Sequence, residues 1–155
     1  MRVEIATRLR DILALVTPVT GTQWTVASRT PESFQNYEGY TAIVRPQAST
    51  WQWKSADQRQ GNLTWDISIY SPEVRTGLVT QHEERMLAYA DKVDDLFIRR
   101  TRLELEGVAL NGVTRAWLSG DRLTAPAPYP DGQQATVRYR YSFTLNIEAL
   151  KVYPC

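Results

Sequence analysis

Residues 137–148 alternate without a fault. Val137, Tyr139, Tyr141, Phe143, Leu145 and Ile147 are apolar or aromatic, and Arg138, Arg140, Ser142, Thr144, Asn146 and Glu148 between them are polar. Successive side chains of an extended strand point to opposite sides, so this run predicts one long strand with a dry face and a wet or contacting face. A chain that makes such a strand must also supply strands to pair with it and an apolar layer to cover its dry face.

Two stretches suit that layer. In residues 3–16, Ile5, Leu9, Ile12, Leu13 and Val16 recur at helical spacing with Arg8, Arg10 and Asp11 opposite, and Pro18 and Gly21 end the pattern. A second helix is expected over about 80–99. Its start, Thr80-Gln81-His82-Glu83, matches a capping box. Val79, Met86, Ala90, Val93 and Phe97 form its apolar stripe, widened by Leu87 and Leu96. Glu83 and Glu84 near its start and Arg99 and Arg100 at its end suit the helix dipole.

Strand signals fill the rest. They are QWTVAS (23–28), YTAIVRP (40–46), LTWDISIY (63–70) and VTRAWLS (113–119), the last following an Asn111-Gly112 turn signal. Pro46 is expected to limit the second of these as a central strand. Leu63, Trp65, Ile67 and Ile69 share one face, with Thr64, Asp66, Ser68 and Tyr70 on the other. APAPYPDG (125–132) reads as a loop. The expected fold is α+β: a mainly antiparallel sheet, two helices packed on one face, a long protruding hairpin and a long C-terminal strand. With no internal repeat and no low-complexity linker, the 155 residues suit a single domain, 1–155.

Composition narrows the function. The formal charge is +1, so nothing global points to nucleic acid or an anionic membrane. Cys155 stands alone, which leaves no disulfide framework within one chain and no multi-cysteine metal site. Arg2, Glu4, Arg8, Arg10 and Asp11 interrupt any apolar leader, and no stretch approaches the roughly 20 apolar residues that span a bilayer. A soluble, non-exported protein is expected.

Catalytic signatures are missing from the sequence. The single histidine, His82, reads as a solvated first-turn residue, and there is no Gly-x-Ser-x-Gly elbow or Gly-rich phosphate loop. Asp57 and Asp66 flank a hairpin and are the one carboxylate pair to set against a glycosidase, but both read as surface residues. Asp91, Asp94 and Asp95 read as the solvated face of the second helix. No catalytic, cofactor-binding or metal-binding residue is assigned, and no enzyme is expected.

Aromatics rise above background, with five Trp and eight Tyr. Trp24, Trp65, Tyr139 and Tyr141 read as core. For Trp51 and Trp53 two registers compete. With Trp53 directly across from Trp65, the hairpin centres on Arg59 and all three tryptophans pack inward; a one-residue slip turns Trp51 and Trp53 outward. The polar loops 54–61 and 124–133 are longer than tight turns require, which suggests contacts made by the loops themselves. The last strand reads as an exposed edge, and Arg138 and Arg140 on its polar face suit pairing with another subunit. The candidate subunit or tube interface is therefore Trp51, Trp53, Arg59, Arg138 and Arg140. A carbohydrate-binding module with Trp51 and Trp53 as stacking platforms is the alternative.

The element order, with WDISIYSPEV running into HEERMLAYADKVDDLF and VRYRYSFTLNIEA closing the chain, resembles the tail terminator proteins of long-tailed bacteriophages. The likeness is one of layout and covers about residues 3–153. It implies a non-enzymatic virion protein without cofactor, assembled in the host cytoplasm into a homo-hexameric ring. Such a ring caps the head-proximal end of the tail tube, stops tube polymerisation and meets the neck or head-closure protein, with DNA only as passing cargo. No interface residue is carried over from the family, and the aromatic 50–53 segment departs from its pattern. A bacterial protein of phage origin, such as a subunit of a tail-like injection particle, would share the architecture.

Overall fold

Our computed structural model describes residues 1–27, 39–72, 79–129 and 136–153; at 79, 80, 125–129, 136 and 137 it describes the backbone alone. The elements in chain order are helix α1 (Arg2–Leu13), strands β1 (Trp24–Val26), β2 (Tyr40–Trp53) and β3 (Gln58–Tyr70), helix α2 (Val79–Ile98), and strands β4 (Val113–Tyr129) and β5 (Thr136–Val152). The strands form one five-stranded sheet in the order β1-β2-β3-β5-β4. Every pairing is antiparallel except that of the short β1 with β2. The expected α+β architecture with its long closing strand is the one observed.

Periodicity explains the layers. On α1, Ile5, Leu9, Ile12 and Leu13 are buried, as the 3–4 spacing requires. On α2, Met86, Ala90, Val93 and Phe97 are buried, joined by Tyr89, whereas Leu87 is 48% exposed and does not widen the stripe. Both helices cover the sheet face made by Leu63, Trp65, Ile67 and Ile69 of β3 and by Tyr139, Phe143, Leu145, Ile147 and Ala149 of β5. The C-terminal end of α1 is held by the Trp24 indole N–H donating to Leu13 O (3.0 Å). Arg8, read as outward, donates to Leu103 O and Val108 O at 2.9 and 2.7 Å and ties the 103–108 turn to α1. The Asn111-Gly112 signal is a turn closed by Val113 N–H to Leu110 O (3.2 Å), with Gly112 at φ 87° in the left-handed region that its third position demands. The capping box rests on the Thr80 side chain, which lies outside the described residues.

Several expectations need correction. β5 is no edge: it lies between β3 and β4, paired along both sides. The limit expected at Pro46 holds: among the described strands β2 is central only as far as Ala42, and it runs on to Trp53 paired with β3 alone. Beyond Ala42, β1 no longer pairs with β2, so among the described residues the missing proline N–H falls on an unpaired side, and the register shift between Pro46 and Ala48 absorbs the irregularity. The proline-rich segment from 125 continues β4 as far as Tyr129, since an edge strand tolerates prolines; the rest of the 124–133 loop lies outside the described residues. The expected 54–61 loop shrinks to the connection between Trp53 and Gln58, because Gln58, Arg59, Gln60 and Gly61 pair with Val152, Lys151, Leu150 and Ala149.

Candidate functional site

The register decides where the tryptophans stand. Trp51 pairs with Gly61 and Trp53 with Arg59, so Trp53 does not face Trp65, which pairs with Pro46. The hairpin turns earlier than the symmetric pairing across Arg59 would have it. Even so, Trp51, Trp53, Arg59, Leu63 and Trp65 share the helix-side face, because strand pairing carries each to the same side. The helix layer covers Leu63 and Trp65 but ends before Trp53. Arg2, at the start of α1, donates to Ser49 Oγ (2.9 Å), opposite Leu63. From that level the strand runs on for roughly 13 Å to Trp53, which is largely exposed.

Burial is graded along this overhang. Trp65 is 2% exposed, Trp51 is partly buried against the core margin, and Trp53 is 62% exposed. No side chain larger than glycine fits under Trp51: a Cβ on residue 61 would come within 2.6 Å of its indole carbons. The guanidinium of Arg59 stands between the two indoles, 5.5 Å from the Trp51 centroid and 5.3 Å from that of Trp53. Lys151 Nζ lies 4.5 Å from the Trp51 centroid, and Tyr153 packs on Trp53 with ring centroids 5.5 Å apart. Cations over indole faces gain from the ring quadrupole, more so where water is partly excluded. The Arg59 Nε is buried without a hydrogen-bond partner. The turn itself is stiff: Lys54 and Ser55 N–H donate to Gln58 O, Ser55 Oγ donates to Asp57 Oδ1 (2.7 Å), and Tyr153 N–H donates to Asp57 O (2.7 Å).

Arg138 and Arg140 do not join this cluster. They lie on the opposite face of the sheet and near the other end of β5, roughly 35–45 Å from Lys151 along the strand. Both are engaged within the chain. Arg138 is 7% exposed and donates to Ser71 O (2.8 Å). Arg140 donates to Ser68 Oγ (3.1 Å) and forms an ion pair with Asp66 (3.2 Å), its guanidinium 5.8 Å from the Tyr70 centroid. That face is drier than alternation suggests: Asp66, Ser68 and Tyr70 are buried, and Tyr70 packs with Ala27 and Ile43 in a second, small core.

Two further expectations change. His82 is not solvated: it is 5% exposed, its Nδ1 lies 2.9 Å from Tyr40 Oη, and burial with help from the Arg85 charge lowers its pKa. Asp66 is buried and paired instead of lying on the surface. It also stands roughly 30 Å along the chain from Asp57, far beyond the spacing of about 5–10 Å that glycoside hydrolysis uses.

One groove was not foreseen. Between α2 and the strands β4 and β5, a cavity of about 260 Å³ has Leu118 and Phe143 in its wall and Asp91, Asp94 and Asp121 around it. Tyr141 donates to Asp121 at 2.5 Å, and burial together with that carboxylate pushes its phenol up to about 12. Asp121 arrives there through a register shift between Ser119 and Asp121, which turns it to the helix side. Gly120, at φ 63° within that shift, is the sequence signal that could have marked the bulge.

No family model matches the chain, and no curated protein matches it either. Among the described residues no group of three or more His, Cys, Asp or Glu side chains is arranged to hold a metal ion, and no helix is long and apolar enough to cross a membrane.

Proposed function

We propose that this chain is a ring-forming virion subunit of the tail terminator type. It sits at the head-proximal end of a phage tail tube, ends tube growth and offers a surface to the neck protein. Its partners are copies of itself, the tube protein and the head-closure protein, and DNA passes through the ring as cargo. It assembles in the host cytoplasm and acts in the virion. The observation that supports this reading is the overhanging hairpin. A sheet end without helix cover, carrying a tryptophan exposed by 62% beside an arginine, has the composition of an interface anchor.

The exposure of Trp53 also favours a second reading, a carbohydrate-binding module with that indole as the platform. The stacking of Arg59 and Tyr153 on the same indole leaves less of it for a sugar ring. Native mass spectrometry of the purified protein, alone and with purified tail tubes, separates the two. A species of six chains, free or on tube ends, is expected. A monomer that ignores the tubes and binds glycans would overturn the ring reading.

A further inference from the structure

We infer that one copy of this chain docks its hairpin end, Trp53 with Arg59, Lys151 and Tyr153, into the groove between α2 and β4/β5 of a second copy, against Asp91, Asp94 and Asp121. The inference rests on the ring reading and assigns that ring its two contacting surfaces.

Charge and shape favour this pairing. At the hairpin end, Arg59 and Lys151 lie on indole faces, and neither forms an ion pair among the described residues. Trp53, Val152 and Tyr153 around them are 62%, 60% and 38% exposed. The groove is the complement. Its three carboxylates carry no ion pair among the described residues, and its wall is apolar at Leu118 and Phe143. Its volume of about 260 Å³ is of the size of one large side chain. An aromatic anchor flanked by cations therefore meets an acidic groove with a small apolar patch in its wall, a charge arrangement that steers association and fixes register.

Topology makes the contact intermolecular. Both surfaces lie on the helix side of the sheet, and β5 runs through both: Lys151 belongs to the hairpin end and Phe143 to the groove, roughly 26 Å apart along the strand. A rigid sheet cannot bring them together within one chain. Two different patches used in succession give a heterologous contact, which closes into a ring or runs on as a filament.

Charge reversal tests this by native mass spectrometry. One variant carries Arg59→Glu and Lys151→Glu, the other Asp91→Lys and Asp94→Lys. Each alone is expected to stay monomeric where the wild type assembles. Their equimolar mixture is expected to assemble with the two variants alternating, because the native patch then meets a native groove and the reversed patch a reversed groove. A chain with all four changes is expected to assemble again. Trp53→Ala, at an exposed position that folding does not need, should weaken self-association by about tenfold or more. If the wild type assembles and either reversed variant assembles equally well, the assigned surfaces are wrong and the ring reading stands. If the wild type remains monomeric even on tail tubes, both fall. Loss of glycan binding in Trp53→Ala, with the mass unchanged, would give the patch to a sugar and overturn the docking.

Discussion

The indole of Trp51 lies flat over the backbone of Gly61, so close that a methyl group there would meet ring carbons at 2.6 Å. The two residues are direct cross-strand partners, and the glycine is what lets the tryptophan fold down onto the sheet at the margin of the core. Gly61→Ala should therefore lift the indole and cost about 1–3 kcal/mol of stability, read from urea unfolding. In a Trp51→Ala background the same change should cost well under 1 kcal/mol, because the obstacle is gone. Additive losses would place the strain elsewhere.

Trp51 and Trp53 should part company on mutation. Trp51→Ala removes partly buried surface and is expected to destabilise by about 1–3 kcal/mol, below the range of a fully buried tryptophan. Trp53→Ala should stay within about 0.5 kcal/mol of wild type. Equal losses in the two would mean that the overhang is covered within the chain.

Asp66 and Arg140 form an ion pair on the drier half of the outer face, with Ser68 donating to Asp66 at 2.5 Å and accepting from Arg140. Arg140→Ala strands a buried carboxylate and should cost about 1–3 kcal/mol. The double change Asp66→Ala with Arg140→Ala should cost clearly less than the two single losses together. A thermodynamic cycle with no coupling would show the pair to be incidental.

His82 predicts a pH dependence of known sign. Burial holds the ring neutral to lower pH than the unfolded chain, whose value is near 6.5. On acidification the unfolded state takes up the proton first, so stability is complete above about pH 6.5 and declines as pH drops below it. His82→Gln should lower the urea midpoint at about pH 7.5, since Tyr40 loses its partner. It should also shrink the difference between about pH 7.5 and 5 that wild type displays. An unchanged difference would assign the acid sensitivity to carboxylates.

Much of this fold was legible where a single period governs. The alternation of 137–148 placed Tyr139, Phe143, Leu145 and Ile147 in the core, and the 3–4 spacing placed Ile5, Leu9, Met86 and Phe97 there. What could not be read depends on which element lies beside which. Pro46, Pro126 and Pro128 look like strand breakers until the sheet order leaves their strands with one unpaired side among the described residues. Tyr89, three residues after Met86 and four before Val93, lies on the stripe of α2, but spacing does not reveal that its hydroxyl sits 2.5 Å from Thr22 Oγ1 and 3.0 Å from Val19 N. The site was half legible. Trp51, Trp53 and Arg59 cluster because short spacing along one hairpin keeps them on one face. Arg138 and Arg140 obey the same alternation but turn to internal partners, which composition does not reveal. Asp121 needed a bulge to reach the groove; Gly120 beside it marks a place for one, but alternation alone does not carry Asp121 to the helix side.

The place of β5 has a consequence for how this protein is made. Among the described strands, β4 pairs with β5 alone, and β3 depends on β5 along its whole length. A ribosome delivers β5 after both. Until it emerges, β4 has no neighbour and β3 has one, leaving apolar faces and open edges bare on the nascent chain. The order β3-β5-β4 therefore cannot be completed until β5 itself has been made.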